Sequence, residues 1–540
     1  MTGLSRTRRW AALAPLCLAV LLVAVDSTVL SLALPFLTEN LEPSSTEVLW
    51  IGDAYAFVLA GLLVTMGVLG DRWGRKRLLL CGAIAFAATS ALAAYAPTPE
   101  LLVVARALLG VGGATLMPST LSIIRNIFTD GRERTLAVGI WSAMGAGGAA
   151  LGPIVGGFLL EHFWWGSVFL INLPVMGVLL VVGFWLLPES RDPRPGRLDL
   201  LSVVLSMLGV TGVIYAIKEI SVGALTHPST PIAGVMGIAA LVWFVSRQLR
   251  LKTPLLDVTL FRNRGFSSAV GVNMVAVFAL SGLVFFLSQY LQFVLGLSPL
   301  EAGLRMLPAT VGAIVAAVLV SKLVGWWGGG PVTAVGLGLT SVALALLSLL
   351  HVETSGILLL GGLAVIGVGV GAAITVTSDV ILTAAPKEKA GAAAAVSETS
   401  YELGAALGIA LLGSLLSAVY RGALALPTGL PAGVRDAAED SVGGAVSMAH
   451  RFPQYAPELL TSAREAFISA IMMTVLVSAV VVAFAALLAL LLPGRRQLSG
   501  AVAPSYELAR AGEEAGLQQP RTGGADGGAG EAVSSFRSLP

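Results

Sequence analysis

Gly67-Val-Leu-Gly-Asp-Arg-Trp-Gly-Arg-Lys-Arg77 lies between two long apolar runs. It packs one acid, four bases and three glycines into a link too short to fold alone. Each flanking run approaches or exceeds the roughly 20 apolar residues that cross about 30 Å of hydrocarbon. A link of this kind belongs at the cytoplasmic membrane surface, where Arg72, Arg75, Lys76 and Arg77 meet water and anionic headgroups.

The rest of the chain extends that reading. Of 540 residues, 56% are hydrophobic and 12% charged, and the mean hydropathy is +0.87. Soluble domains carry about 25% charged residues, so the expected fold is an all-α polytopic membrane protein. About fourteen apolar runs reach spanning length. Loops rich in Lys and Arg alternate with loops near Glu39, Pro97, His162 and His351 that have neither. The positive-inside rule then puts both termini in the cytoplasm of a bacterium, in a multi-pass inner-membrane protein with an even number of spans. The run after Arg6, Arg8 and Arg9 is too long for a signal peptide and reads as an uncleaved first helix. Cys17 and Cys81 lie in apolar runs and read as small buried hydrophobes rather than a disulfide.

The expected organisation is a six-helix bundle over 1–190, two additional spans over 191–263, and a second six-helix bundle over 264–493. The second bundle carries a long outer segment, 421–464, whose helical spacing of small apolar residues suggests a hairpin or cap. Residues 494–540, rich in Gly, Ala, Ser and Glu, are expected to be disordered. Lys322-Leu-Val-Gly-Trp-Trp-Gly328 echoes the opening stretch after the tenth span, without its acid.

Acids inside apolar runs carry the functional signal. Asp26 lies mid-way along the first run, Asp53 in the outer part of the second, and Glu398 and Glu402 in the thirteenth. The glutamates are four apart and share a helix face. One charge at a helix centre costs roughly 2.5–3.5 kcal/mol on insertion scales, so four dry acids cost about 10–14. They are expected to face a water-filled cavity and to exchange protons there. A carboxylate that holds either a proton or a lipophilic cation couples the two by exclusion, which is antiport. Phe57, on the face of Asp53, and Tyr401, beside Glu398, are candidates for stacking on such cations; packing alone uses the same residues. Asp379 reads as an interfacial partner of Lys387 or Lys389, Lys218 with Glu219 as a surface pair, and Tyr290 and Phe293 as interfacial aromatics. No phosphate-binding G-x-x-x-x-G-K-[ST] and no Cys/His cluster occurs in the sequence. No enzyme activity, cofactor, metal, nucleotide or nucleic-acid partner is therefore expected, and an ion gradient must drive transport.

The opening stretch resembles the loop between helices 2 and 3 of the major facilitator superfamily, G-x-L-a-D-r-x-G-r-k-x, at Gly67, Leu69, Gly70, Asp71, Arg72, Gly74, Arg75 and Lys76. Arg106-Ala-Leu-Leu-Gly-Val-Gly-Gly-Ala114 resembles that family's fourth-helix motif. Either Arg106 faces the central cavity and tunes a carboxylate, or it snorkels to the outer surface. Gly148, Gly152, Pro153, Gly156 and Gly157 resemble the G-x-x-x-G-P-x-x-G-G motif of its exporters, which the family associates with drug/proton antiport. The glycines form a small-xxx-small ladder. Val25-Asp-Ser-Thr-Val-Leu-Ser-Leu-Ala-Leu-Pro35 and Trp164-Trp-Gly-Ser-Val-Phe-Leu-Ile-Asn-Leu-Pro174 resemble the first and sixth helices of its fourteen-helix drug/proton antiporters. Resemblance is closest to the branch exporting quaternary ammonium antiseptics and dyes, which carries acids in its first, second and thirteenth helices. It implies a proton-coupled exporter of lipophilic cations, with Asp26, Asp53, Glu398 and Glu402 as substrate and proton sites. Gly67, Asp71, Arg72, Gly74 and Arg75 then form a conformational gate that touches no substrate. A dedicated exporter of one endogenous metabolite, and a membrane binding or scaffold protein without transport, are the alternatives.

Overall fold

The computed structural model describes residues 5–43, 45–192, 199–221, 228–251, 254–349, 356–426 and 430–492. The tail from 494, expected to be disordered, lies outside them. The first half contains α1 (Arg6–Leu41), α2 (Ser45–Trp73), α3 (Arg75–Ala94), α4 (Pro99–Ile127), α5 (Gly131–His162), α6 (Ser167–Leu170) and α7 (Asn172–Leu186). Two further helices follow, α8 (Leu200–Ser221) and α9 (Ser229–Gln248). The second half contains α10 (Arg264–Gln289), α11 (Pro299–Trp327), α12 (Gly329–Leu347), α13 (Gly356–Ala384) and α14 (Ala390–Ala423). It ends with α15 (Ala432–Asp440), α16 (Val442–Arg451) and α17 (Ala456–Ala489).

Taking α6 and α7 as one crossing, thirteen of these stretches, among the described residues, are long and apolar enough to span a membrane. The fourteenth long helix is α5, with 32 residues. Apolar residues on all sides suit helices whose solvent is lipid, where every backbone group must bond within its own helix. Polar caps mark the ends: Thr98, Asp130, Asn263 and Ser298 accept first-turn amides of α4, α5, α10 and α11. Ser298 and Glu301 cap each other reciprocally.

Packing repeats between the halves. Helix α1 lies on α5 as α10 lies on α14; α2 lies on α4 as α11 lies on α13; α3 lies on α4 as α12 lies on α13. The seam repeats too, with α2 against α14 and α5 against α11. This is the internal repetition of a transporter fold. The inserted α8 packs on α9 and on both α2 and α14, so it touches one seam.

The opening stretch is not the loop that its polarity suggests. Helix α2 runs through Trp73, and Gly74 alone separates it from α3. Gly74 has φ 122°, and Gly328, which separates α11 from α12, has φ 89°. Both are backbone conformations that a side chain resists. The repeated sequence motif is thus a repeated helix break.

Within 421–464, α15 and α16 form a helical hairpin packed on α17 around Leu430, Val434, Ala438, Ala445, Leu459 and Ala463. Tyr420 Oη donates to the Ala438 carbonyl at 2.9 Å. Phe293 rests on Gly443 of α16, and Tyr290 is buried in a π-turn at the end of α10. These two aromatics are therefore packed within the protein rather than forming an interfacial belt, because the hairpin brings a helix over them.

Candidate functional site

Arg106 of α4 is buried, 1% exposed, and its Nη1 donates to Asp26 Oδ2 at 3.0 Å. Asn172 of α7 donates to Asp26 Oδ1 at 2.8 Å and to Ser90 Oγ at 3.0 Å. Arg106 Nε also donates to the Ile51 carbonyl at 3.2 Å, and its guanidinium stands 4.7 Å from the Tyr55 ring centroid. A charge this deep persists because a counter-charge, a carbonyl and a π-face each meet it. Of the two readings of Arg106, the geometry has it turned inward toward a carboxylate, not snorkelling. Asp26 is also enclosed here rather than opening on a water-filled cavity, since Arg106 and Asn172 cover both its oxygens. Asn172 lies in the Trp164–Pro174 motif, yet sequence reasoning assigns it no role, and Ser90, a neutral polar residue within an apolar run, gives no signal.

Asp53 faces a partner that its neighbourhood in sequence does not contain. Lys218 Nζ, from the last turn of α8, donates to Asp53 Oδ1. Lys218 is therefore not half of a surface pair with Glu219; packing of α8 on α2 brings it to Asp53. Its ammonium lies 5.2 Å from the Phe57 ring centroid. Tyr215 lies 6.0 Å from Phe57 and Trp50 lies 6.1 Å from it. Phe57 itself is buried against Val210 and Ile214 of α8. At the other end of α8, Arg247 clamps Asp199 with bonds of 2.6 and 3.0 Å. Those bonds, with one from Ser202, hold the Asp199 carboxyl down at about 2.

Glu398 is 4% exposed and Glu402, one turn on, is half-buried. The two glutamates and Tyr401 interact electrostatically. Glu402 also feels the charge of Lys218, and Tyr55 feels that of Glu402. Helix α14 thus brings the glutamates to the seam, toward the Asp53 and Asp26 groups of the other half. Near Glu398, Asn273 of α10 donates to Ser400 Oγ at 2.8 Å and accepts from Thr377 Oγ1 of α13 at 3.1 Å. Helices α10 and α13 are the counterparts of α1 and α4, so a neutral link in one half matches the Asp26–Arg106 ion pair in the other.

A second cluster closes the seam at the Asp71 end. Asp71 Oδ1 accepts from the Gly391 amide at 2.8 Å and Oδ2 from the Ala392 amide at 3.1 Å. These are first-turn N–H groups of α14, where a helix favours an anion. Arg75 is also buried, 1% exposed. Its Nη2 donates to Asp71 Oδ1 at 2.6 Å and to the Lys387 and Glu388 carbonyls at 3.0 and 2.9 Å. The expectation that Arg75 meets water fails because the second half covers it. Arg72 is half-buried, and Arg77 is exposed. Arg125 donates to the Ala385 and Pro386 carbonyls. Asp379 pairs with Arg134 at 2.6 Å and accepts from Thr135 at 2.9 Å. Its partners are on α5, not Lys387 or Lys389, because α5 and α13 pack together.

Glycines set these approaches. A Cβ at Gly67 would meet the Gly391 carbonyl oxygen, and one at Gly391 would meet that of Gly67. On α5, a Cβ at Gly148 would meet the Leu21 carbonyl, and one at Gly152 would meet Thr28 Oγ1, so the ladder fits α5 to α1. Gly156 is buried on the same helix, one turn after Pro153.

Residues 16–409 match the family model described as Major Facilitator Superfamily. Over 481 residues the chain is 48% identical to "Multidrug efflux pump LfrA" of Mycolicibacterium smegmatis, covering 89% of this chain and 95% of that one. Over 466 residues it is 38% identical to "Methyl viologen resistance protein SmvA" of Salmonella typhimurium, covering 85% and 93%. The crystal structure of the human organic anion transporter MFSD10 (TETRAN) superposes with a TM-score of 0.54 at 13% identity. That match covers 88% of this chain and 99% of the other and is a likeness of fold. Two repeated six-helix bundles, a helix-capping ion pair at their seam and a sequence match across most of the length agree: the chain belongs to the Major Facilitator Superfamily of membrane transporters.

Proposed function

We propose that this protein is a proton-coupled antiporter that exports lipophilic cationic drugs, dyes and quaternary ammonium compounds across a bacterial inner membrane, with both termini cytoplasmic. The observation that carries this reading is the gathering of intramembrane acids from both halves along one seam: α2 and α14 pack together, and Lys218, bonded to Asp53 and beside Phe57 on α2, also acts electrostatically on Glu402 of α14. Several carboxylates with aromatic faces suit cations, and a carboxylate that takes either proton or cation couples the two. Asp26, held by Arg106, is the proton site of this scheme. The Asp71–Arg75 cluster, with Gly67, Arg72 and Gly74, is the cytoplasmic gate, and its bonds to α14 and the carbonyls before it tie the two halves together at that end. Gly148 and Gly152, in the stretch that also holds Pro153 and Gly156, fit α5 closely to α1, so these two helices of the first half move together. Relatives named as a multidrug efflux pump and a methyl viologen resistance protein support the substrate class.

In everted membrane vesicles, ethidium should be taken up when a proton gradient is present, and a neutral compound of similar size should not. A protonophore should abolish that uptake even with ATP present; uptake that persists rejects the coupling. A dedicated exporter of one endogenous compound is the second reading. It is favoured by 34% identity to a relative named "Tetracenomycin C resistance and export protein" of Streptomyces glaucescens. Absence of any dye uptake by expressing vesicles would select it.

A further inference from the structure

We propose that Lys218 is a tethered occupant of the cation site: its ammonium sits where a transported cation binds, on Asp53 and over Phe57, and substrate must displace it. The inference rests on the cation-export reading above and assigns a specificity-determining role to a residue of the inserted helix α8.

The first support is chemical likeness. A carboxylate beside aromatic faces is what an alkylammonium or a flat dye cation requires. Lys218 has both, hydrogen-bonded to Asp53 and 5.2 Å from the Phe57 centroid, with Tyr215 and Trp50 flanking Phe57. The second is accessibility. The side chains of Lys218 and Asp53 are 35% and 32% exposed, whereas those of Arg106 and Asp26 are 2% and 2% exposed. A partly exposed ion pair is held less firmly than a sealed one, and a flexible lysine stem lets the charge swing away. The sealed Arg106 pair has neither property. The third is position. Helix α8 packs on α2 and α14, and Lys218 acts electrostatically on Glu402 as well as bonding to Asp53. Its departure frees the Asp53 carboxylate and removes a positive charge from the surroundings of Glu402, and a monovalent cation that replaces it leaves the local charge unchanged. Such a lysine keeps the acids neutralised between substrates and admits only cations that compete with a primary ammonium.

The test is ethidium binding, by fluorescence anisotropy, to the purified full-length protein in lipid nanodiscs. Loss of an internal competitor should tighten binding by about fivefold or more in K218Q, while K218R stays near the wild-type value. The gain should vanish in D53N/K218Q. Equal or weaker binding in K218Q, with wild-type binding intact, overturns the tethered occupant and leaves the export reading standing. No binding by any form, together with no dye uptake in vesicles, overturns both. K218M supplies a second neutral side chain. Failure of both K218Q and K218M to give monodisperse protein also overturns the proposal, because a displaceable group cannot be essential to the fold.

Discussion

Asp71 at the end of α2 accepts a 2.8 Å hydrogen bond from the amide of Gly391, 320 positions later in the chain. The same oxygen holds Arg75, whose guanidinium reaches the Lys387 and Glu388 carbonyls. An anion at the start of α14 and a cation at the preceding carbonyls therefore join the halves at one point. Both charges are buried, and although they pair with each other within the first half, their bonds to Gly391, Ala392, Lys387 and Glu388 last only while the seam is closed.

Asp71→Asn keeps the shape and one acceptor but removes the charge. An anion at a helix N-terminus contributes about 0.3–1 kcal/mol, and a buried charge left without its partner costs about 3–5. The closed seam should weaken enough to slow dye export by at least about tenfold. Asp53 lies 18 residues away on the same helix, about 27 Å at 1.5 Å per residue. Ethidium affinity in nanodiscs should therefore stay within about threefold of wild type, a difference under 1 kcal/mol. A large affinity loss with intact turnover would show that Asp71 belongs to the binding site.

Gly391→Ala tests the same closure by volume. The new Cβ would collide with the Gly67 carbonyl oxygen and lie 2.6 Å from Asp71 Oδ1, and backbone cannot yield as a side-chain end can. Helices α2 and α14 must then separate at this end. Spin labels at Arg77 and Lys387, in a background with Cys17 and Cys81 replaced by serine, should report a longer distance as the dominant population. An unchanged distance distribution would remove the glycine contact from the gate.

The sequence made the spans legible because lipid tolerates only long apolar helices or closed barrels. About fourteen runs are read from hydropathy, and among the described residues fourteen long helices form, with α6 and α7 taken as one crossing. Partnerships across the fold were less visible. Lys218 sits beside Glu219, and nothing local points to Asp53, 165 positions earlier. Arg75 reads as one base among four; its burial depends on carbonyls supplied by the second half. Asp379 has lysines nearby in sequence, yet packing of α5 on α13 hands it Arg134. In each case the residue type was readable and the partner was not, because tertiary contact rather than spacing chose it. Gly74 and Gly328 are the converse: a motif whose second copy keeps its glycines and one base but loses its acid marks the same helix break twice.

The Asp26–Arg106 pair should behave as a unit. Arg106→Gln leaves Asp26 without a counter-charge, and Asp26→Asn leaves a buried guanidinium with neutral acceptors and aromatic faces but no anion. Breaking one side of a buried pair costs about 3–5 kcal/mol, whereas replacing both sides is far milder. Each single variant should lower the thermal midpoint in detergent markedly, and D26N/R106Q should recover more than half of the loss. The double variant should still fail to couple dye export to protons, since no titratable group remains there. Additive midpoints would mean that the two residues do not depend on each other.

Glu402→Gln separates substrates by charge. Glu398 and Glu402 lie one helical turn apart, and Glu402 is the more exposed of the two. Glutamine preserves the shape and removes one charge, so a dication loses one of two carboxylates while a monocation retains Glu398 and Asp53. Two unit charges about 4 Å apart interact by about 4 kcal/mol at an effective dielectric constant near 20. Even a third of that is tenfold in affinity. Uptake of a bis-quaternary dication into everted vesicles should fall by about tenfold or more, and ethidium uptake by less than about threefold. The ratio between the two substrates is the informative quantity, because it cancels differences in protein amount and gradient. Equal loss for both would mean that Glu402 serves proton movement alone and leaves charge selection to Asp53 and the ammonium that sits on it.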